Sequence, residues 1–330
     1  MTPLAFMMTG AGLLLLAFGG EVLLRGAIGV ANNLGLSPML IGLTVVAFAT
    51  SMPELVVTIT AGLEDVTDIG VGNVVGSNIA NILLILGVAA IISPIATKPK
   101  LVLRDCLAVL AATAMFVGFA YYGELSFLHG VVMIAVLIGY VWYSYRTDAS
   151  RNGSDAPEDV LAGLDEEVTE EIESAPKSVM VAVLLVLGGI TGLVLGSELL
   201  VRGAVQIARA AGVSETVIGL TLVAFGTSLP ELATSITAAI RGHTEVALGN
   251  ALGSNLFNIL LILGVLAMVT PFHVDAAVLG FDVWIMAAVS LMVVPLIMFR
   301  GQIGRRSGLI FLLLYGLYIT YQFGVVPAAV

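Results

Sequence analysis

The sequence predicts an all-α integral membrane protein with ten transmembrane helices, built as two inverted five-helix repeats in which helices 2, 3, 7 and 8 are broken. Three observations predict this fold class: recurring apolar runs, an internal repeat, and a reversal of loop charge between the two copies. Hydrophobic residues make up 59% of the 330 positions and charged residues only 11%. This is too little charge to cover the surface of a soluble protein of that length.

The apolar runs have the length that a membrane demands. A helix needs about 20 mostly apolar residues to cross a hydrocarbon layer of about 30 Å. The runs are continuously apolar and do not alternate with a period of two, which favours helices over a transmembrane barrel. We predict spans at residues 4–28, 37–63, 70–92, 101–121, 126–145, 178–204, 213–240, 247–270, 277–299 and 307–323.

An internal repeat divides the chain into two halves. A shift of 177 residues, without a gap, aligns residues 41–87 with 218–264, and 28 of these 47 positions are identical. Residues 1–145 and 178–330 each contain five predicted spans. Because five is odd, the second copy is expected to enter the membrane from the side opposite to the first. Inverted repeats of this kind bind substrate near the bilayer midplane, where the repeats meet.

Most of the net charge of −10 lies between the halves. Residues 146–177 carry ten acidic and three basic side chains, with glycine, serine, asparagine and proline among them. This composition is typical of a solvated segment. We interpret 146–177 as an acidic cytoplasmic linker, with a Ca²⁺-binding regulatory loop as the alternative.

The loop charges predict the orientation. Lys and Arg concentrate on the cytoplasmic side of a membrane. Placing the loops after spans 1, 3, 5, 7 and 9 inside puts eleven of the thirteen Lys and Arg residues there. Both termini are then extracytoplasmic. The charge also inverts between the copies, since Glu64 after span 2 corresponds to Arg241 after span 7.

Two carboxylates are predicted to lie within the membrane. Glu54 is the only charged residue between Met39 and Leu63, and Glu231 repeats the feature in the second copy. A charge at that depth costs at least ~2.5–3.5 kcal/mol and usually marks an ion or substrate path. Pro53 and Pro230 predict a break in each helix, because proline cannot continue the helical hydrogen bonds. In the alternative interpretation Ser51 and Glu54 form a capping box, so that the carboxylate serves only its own helix end.

Neutral oxygen donors accompany the carboxylates. Gly76 and Gly253 are expected to interrupt spans 3 and 8 and to expose backbone carbonyls. Hydroxyl, amide, carbonyl and carboxylate oxygens are the ligands that Ca²⁺ takes in groups of six to eight. The chain has no Cys or His cluster of the kind that binds zinc or copper. In the first copy, Ala47, Thr50 and Ser51 share a helix face with Glu54, and Asn73, Ser77 and Asn81 share a face of span 3.

Other unusual residues have structural explanations. Small residues mediate helix packing in membranes, and we attribute Gly19, Gly20 and Gly196 to packing. Two Glu residues are each followed by Arg four positions later, and we expect interfacial ion pairs, with a place on the path of the ion as the alternative. These pairs are Glu21–Arg25 and Glu198–Arg202.

The blocks Thr50-Ser51-Met52-Pro53-Glu54 and Thr227-Ser228-Leu229-Pro230-Glu231, together with a Gly-Ser-Asn block in each copy, resemble the alpha-repeats of the calcium/cation antiporter superfamily, in particular prokaryotic Na⁺/Ca²⁺ exchangers. The resemblance covers nearly the whole chain. It implies ten helices, alternating access, a central cluster of Na⁺ and Ca²⁺ sites, and no cofactor. Position by position it implies ligands from Glu54, Glu231, Thr50, Thr227, Ser51, Ser228, Ser77, Ser254, Asn81 and Asn258, with backbone oxygens from Ala47 and Ala224.

The function that we expect is exchange of Ca²⁺ for Na⁺ in a prokaryotic plasma membrane, by a secondary transporter that is not an enzyme and has no nucleic-acid partner. Many exchangers of the family carry Asp in one copy where this chain has Asn81 and Asn258, so the site has two formal negative charges and not three. Exchange of Ca²⁺ or another cation for H⁺ on the same fold is therefore the main alternative. A cation channel with the same ligands is a second, and a membrane enzyme or structural protein a third.

Overall fold

The computed structural model describes residues 3–96, 99–152, 176–210, 224–276 and 278–325. Among these residues, seven helices are long and apolar enough to cross a membrane, and the pair Pro38–Thr50 and Met52–Leu63, bent by 43°, makes eight if it is counted as one broken span. The predicted all-α, membrane-spanning class is therefore confirmed. The predicted seventh span, 213–240, begins outside the described residues. Most of the acidic linker, residues 153–175, also lies outside them.

The described helices follow in the same order in the two halves, but the short strand of each half lies at a different place. The first half consists of α1 (Pro3–Leu34), α2 (Pro38–Thr50), α3 (Met52–Leu63), α4 (Thr67–Ile92), β1 (Ile95–Ala96), α5 (Pro99–Tyr122) and α6 (Phe127–Asn152). The second half consists of α7 (Val179–Ala210), α8 (Ala224–Thr227), α9 (Leu229–Ile240), α10 (Thr244–Val269), α11 (Val278–Arg300), β2 (Gln302–Ile303) and α12 (Arg305–Val325). Helix α6 extends beyond residue 145, where we predicted the first repeat to end.

The second predicted helix of each half breaks at a serine. Ser51 separates α2 from α3 with φ −80° and ψ 4°, and Ser228 separates α8 from α9 with φ −86° and ψ 5°. Pro53 and Pro230 lie in the first turn of the following helix, where a missing N–H costs no helical hydrogen bond within that helix. The breaks therefore occur where the prolines predicted them.

The predicted breaks in helices 3 and 8 are wrong. Helices α4 and α10 continue through Gly76 and Gly253, and each contains a wider π-helical segment, at Asn81–Ile85 and Phe257–Ile262. Glycine keeps its N–H, so the helical ladder is not interrupted as it is by proline. Gly253 serves packing instead, because an added Cβ would lie 2.7 Å from Ala47 Cβ on α2.

Helices α1 and α7 are in backbone contact along much of their length. Gly19 on α1 and Gly196 on α7 both lie in this contact, which confirms the packing role expected for them. Gly20 also packs closely, but against Thr237 on α9. Residues later in α1 contact residues earlier in α7, so the two helices are antiparallel. A Cβ would lie 2.5 to 2.8 Å from a backbone nitrogen at Gly12 (against Leu200 N), Gly19 (against Leu193 N) and Gly26 (against Val186 N).

The predicted ion pairs are present on these two helices. Arg25 Nε lies 2.9 Å from Glu21 Oε1, and Arg202 pairs with Glu198. Arg241, just after α9, also contacts Glu21, with Nη2 2.8 Å from Oε1. Exposed pairs of this kind contribute little stability, about 0.3–0.5 kcal/mol for an i,i+4 pair.

Short backbone pairings tie loops of one half to loops of the other. Ile95 of β1 pairs antiparallel with Ile303 of β2, and Leu125 forms an equivalent bridge with Phe272. The loops that follow α4 and α11 therefore lie at one end of the helix bundle. The loops that follow α5 and α10 likewise lie together.

Candidate functional site

Two buried carboxylates, one in each half of the chain, lie at helix N-termini. Glu54 occupies the first turn of α3 and Glu231 the first turn of α9, and each is 1% exposed. Helix N-termini favour negative charge. Within the described part of the chain, no Lys, Arg or His forms an ion pair with either carboxylate. In the described part of the chain, the two carboxylates therefore have no protein cation beside them.

The capping-box interpretation is wrong. Neither Ser51 nor Ser228 makes a side-chain cap to its own helix. Ser51 Oγ instead donates to Glu231 Oε1 at 3.3 Å, and Ser228 Oγ contacts Glu54 Oε1 at 3.2 Å. Each serine therefore contacts the carboxylate of the other repeat, and the two broken helices meet at one site.

A serine from the following helix joins one side of this arrangement. Ser77 Oγ on α4 lies 3.3 Å from Ser228 Oγ. Its counterpart Ser254 on α10 is fully buried, and within the described residues its hydroxyl has no hydrogen-bond partner. Both predicted serines thus lie in the buried interior, with only Ser77 contacting another predicted ligand.

The two threonines contact asparagines that we did not predict as ligands. Thr50 Oγ1 donates to Asn250 Oδ1 at 3.2 Å, and Thr227 Oγ1 donates to Asn73 Oδ1 at 3.4 Å. Asn250 Nδ2 also donates to Ser235 Oγ at 3.2 Å, which fixes the orientation of its amide. The sequence did contain a signal, because a Gly-Asn pair recurs at these positions in both copies.

The last predicted pair, Asn81 and Asn258, has unequal surroundings. Asn81 Nδ2 donates to Asn255 Oδ1 at 3.0 Å, and Asn255 Nδ2 donates to the carbonyl of Asn78 at 3.3 Å. These bonds hold the Asn81 amide so that its Oδ1 stays without a partner among the described residues. Asn258 is also buried, and neither of its polar side-chain atoms is bonded within that part of the chain.

The prolines free one backbone carbonyl at each break. Because Pro230 has no N–H, the carbonyl of Gly226 loses its helical donor. Ser197 Oγ on α7 donates to that carbonyl at 2.6 Å. The equivalent of Ser197 on α1 is Gly20, which has no side chain to donate. The long helices α1 and α7 therefore differ in how they contact the breaks.

The predicted backbone ligands, Ala47 and Ala224, lie four residues before Ser51 and Ser228, where the helices break. The Ala47 carbonyl already accepts a hydrogen bond from Ser51 N at 3.0 Å, and Thr50 Oγ1 lies 3.4 Å from it. Ala224 is the first residue of α8, directly after residues that the structure does not describe. The structure thus places the carbonyl of Ala47 beside Thr50 and Ser51.

Several buried oxygens at the site have no hydrogen-bond partner among the described residues. A buried polar atom without a partner costs about 1–3 kcal/mol, and more when charged. A bound cation would satisfy these atoms, since all of them are hard donors. They are Glu54 Oε2, Glu231 Oε2, Asn81 Oδ1, Asn258 Oδ1 and Ser254 Oγ.

Comparison with known proteins gives one consistent family. The sequence profile described as sodium/calcium exchanger protein matches residues 4–146 and 181–324. The putative antiporter CaxA of Alkalimonas amylolytica is 38% identical over 320 residues, covering 94% of this chain and 95% of that protein. The sodium/calcium exchanger MaX1 of Methanosarcina acetivorans is 33% identical over 352 residues, covering 98% and 99%.

A solved structure is similar over the whole fold. The sodium-calcium exchanger NCX_Mj, soaked with zero Na⁺ and Ca²⁺, superposes with a TM-score of 0.81 at 32% sequence identity. The match covers 98% of this chain and 100% of that one. The similarity therefore includes both halves and the broken helices that carry Glu54 and Glu231.

Proposed function

We propose that this chain, which belongs to the sodium/calcium exchanger family, is a secondary antiporter that exchanges Ca²⁺ for Na⁺ by alternating access. The single observation that supports this most is the reciprocal contact between the repeats. Two buried carboxylates, Glu54 and Glu231, each accept a hydroxyl contact from a serine of the opposite repeat. One site is thereby assembled from both halves, and a relative movement of the halves would open and close it.

Charge balance gives a reason for obligatory exchange. An empty site holds up to two negative charges in a buried position, which is costly inside a membrane. One Ca²⁺ neutralises both charges, and so do two monovalent cations. An unloaded protein would resist the change from one facing state to the other, so Ca²⁺ leaves only when Na⁺ replaces it. The cycle forms no covalent bond and needs no cofactor.

The proposed ligands are those predicted from the sequence. Carboxylate, hydroxyl and amide oxygens can supply the six to eight ligands that Ca²⁺ takes. The unpaired oxygens of the site supply the first of them, and the hydroxyls that now bond to Asn73 and Asn250 supply others. The proposed set is Glu54, Glu231, Thr50, Thr227, Ser51, Ser228, Ser77, Ser254, Asn81, Asn258 and the carbonyls of Ala47 and Ala224.

The topology that we propose has ten spans in two inverted repeats. The antiparallel packing of α1 against α7 supports it, because these are the first helices of the two halves. The loops joined by the pairing of β1 with β2 were both predicted to be cytoplasmic, and their contact supports a common side. Both termini are then extracytoplasmic, the linker 146–177 is cytoplasmic, and the membrane is the plasma membrane of a prokaryotic cell.

One observation favours protons as the alternative coupling ion. Asn81 and Asn258 are both neutral, so Glu54 and Glu231 supply the only formal charges among the proposed ligands. Two protons, one on each carboxylate, would neutralise the site as completely as two Na⁺ ions. H⁺/Ca²⁺ exchange therefore uses the same residues and differs only in the counter-ion.

The experiment that separates these functions is Ca²⁺ uptake into proteoliposomes. Vesicles loaded with Na⁺ are compared with vesicles loaded with K⁺ and with vesicles that carry only a pH gradient. We expect uptake only with an outward Na⁺ gradient. Uptake driven by the pH gradient alone would show that the counter-ion is H⁺ and not Na⁺. The absence of uptake by folded protein under every gradient would contradict exchange of Ca²⁺.

Asn255 is expected to control the affinity of the site without being a ligand. Asn255→Ala removes the acceptor for Asn81 Nδ2 and the donor to the Asn78 carbonyl. The Asn81 amide is then free to turn its oxygen away from the site. Loss of a residue that orients a metal ligand typically weakens binding by about 10–100-fold, and we expect an effect of that order on the Ca²⁺ concentration for half-maximal uptake.

The matched control for this prediction is Asn78→Ala. Asn78 occupies the equivalent position on α4, but its Nδ2 donates to Val74 O of its own helix at 2.8 Å. We therefore expect a smaller loss of affinity than for Asn255→Ala. Equal losses in two variants that melt at the same temperature would refute the positioning role of Asn255.

A further inference from the structure

A basic recess lies at the end of the helix bundle, away from the carboxylate site. It has a volume of about 310 Å³ and lies where α11 ends and α12 begins. Three of the seven lining residues are arginines and none is acidic. The lining residues are Pro94, Arg300, Gln302, Gly304, Arg305, Arg306 and Ser307.

Among the described residues, no acidic side chain pairs with the arginines of the recess. Within the described part of the chain, Arg300 and Arg306 make no ion pair and no side-chain hydrogen bond. Arg305 Nε donates to the carbonyl of Ile91 at 3.1 Å, which attaches its guanidinium to the end of α4. Guanidinium groups are suited to phosphate because their planar donors match its oxygens.

Backbone donors add to this charge. Helix α12 begins at Arg305, directly after Gly304, which has no side chain to cap the first turn. The N–H groups of a first turn lack helical acceptors, and together with the helix dipole they favour an anion. The pairing of Ile95 with Ile303 fixes the loop on which these groups lie. The recess thus combines three arginine side chains with the backbone N–H groups of a helix start.

The surface beside the recess is apolar. Ile310, Leu313 and Leu317 follow Arg306 at four, seven and eleven residues, so they lie on its face of α12. They are 52%, 68% and 67% exposed, and Phe299 beside Arg300 is 87% exposed. A ligand that fits both surfaces has an anionic head and an apolar body.

We propose that this recess binds the phosphate group of an anionic phospholipid, with an acyl chain along the exposed face of α12. Basic pockets between transmembrane helices on the cytoplasmic side bind anionic lipid headgroups. An excess of arginine on that side is also expected from topology alone. Topology, however, requires neither a recess nor an uncapped helix start within it.

The first repeat shows that the fold does not require this charge. The bridge of Leu125 with Phe272 corresponds to that of Ile303 with Ile95, which makes residues 122–128 the counterpart of 300–306. That segment contains Glu124 and no Lys or Arg. The three arginines that line the recess therefore belong to the second repeat and have no basic counterpart in residues 122–128.

The test is lipid retention by the full chain, measured by native mass spectrometry and by thermal unfolding in detergent with added lipid. The probes are phosphatidylglycerol, phosphatidylcholine and inorganic phosphate. We expect phosphatidylglycerol to be retained and to raise the melting temperature of the wild type. Each arginine that contacts the anionic headgroup is expected to contribute about 1 kcal/mol, or about fivefold in affinity. Arg300→Gln with Arg306→Gln is then expected to weaken retention roughly 25-fold.

The control is Arg146→Gln, which removes one charge at the end of α6, also on the predicted cytoplasmic side. The Arg146→Gln variant is expected to retain phosphatidylglycerol as the wild type does. The single variant Arg306→Gln is expected to bind it about fivefold more weakly than the wild type. Equal retention by wild type and double variant, or no preference for phosphatidylglycerol over phosphatidylcholine, would overturn the proposal. Equal stabilisation by inorganic phosphate without lipid would overturn the lipid assignment and make free phosphate the ligand.

Discussion

Replacing either Glu54 or Glu231 by Gln is expected to abolish Ca²⁺ transport while the protein still folds. Glutamine has nearly the same shape and its carbonyl can still accept the hydroxyl contact from the opposite repeat. It removes one of two formal charges, so that Ca²⁺ would leave an uncompensated positive charge at a site that is 1% exposed. Because ligand charge sets Ca²⁺ affinity, we expect uptake to fall at least about a hundredfold.

The control for this prediction is Glu64→Gln. Glu64 follows α3, the same helix that begins with Glu54, but its side chain is exposed. The same chemical change there is expected to leave uptake unchanged. Wild-type uptake in Glu54→Gln or Glu231→Gln, at an unchanged melting temperature, would remove the carboxylates from the mechanism.

Gly253→Ala is expected to have a comparably large effect through packing. A Cβ at this position would lie 2.7 Å from both the carbonyl carbon of Leu43 and the Cβ of Ala47, and closer still to the Leu43 carbonyl oxygen. Backbone cannot yield as a flexible side chain does, so α2 and α10 must separate. Overpacking costs typically 1–3 kcal/mol and occasionally more. Since α2 carries Thr50, transport is expected to fall together with the melting temperature.

Gly139→Ala is the matched control for this packing prediction. Gly139 is exposed within α6, and an added Cβ would meet no described atom within 4 Å. Alanine is favoured over glycine in a helix by about 1 kcal/mol, so a neutral or slightly higher melting temperature is expected. An unchanged melting temperature in Gly253→Ala would contradict the close contact of α2 with α10.

The sequence was sufficient for the class of fold and for the position of the carboxylates. Continuous apolar runs have only one stable arrangement in a bilayer, which is why they predict helices. Pro53 and Pro230 predicted the breaks because proline lacks the N–H that a helix needs. Glu54 and Glu231 stood out because a charge within an apolar run is costly enough to need a reason.

The sequence was not sufficient for contacts that depend on how the halves meet. A Ser-x-x-Glu spacing is compatible with a local cap, and only the three-dimensional contact between the two halves shows that Ser51 donates to Glu231 instead. For the same reason, the bond of Asn255 to Asn81 joins two helices whose distance no spacing reveals. Gly253 was misread because a glycine that breaks a helix and one that admits a neighbouring backbone look alike in sequence.

The most direct test of the central claim is Ca²⁺ binding to the purified protein, measured by equilibrium binding of radiolabelled Ca²⁺ in the presence of increasing Na⁺. A site shared by Glu54 and Glu231 predicts that wild-type protein binds Ca²⁺, that Na⁺ displaces it, and that the double variant Glu54→Gln with Glu231→Gln binds none. Ca²⁺ binding that persists unchanged in the folded double variant would contradict the account, because the ions would then lie elsewhere in the molecule.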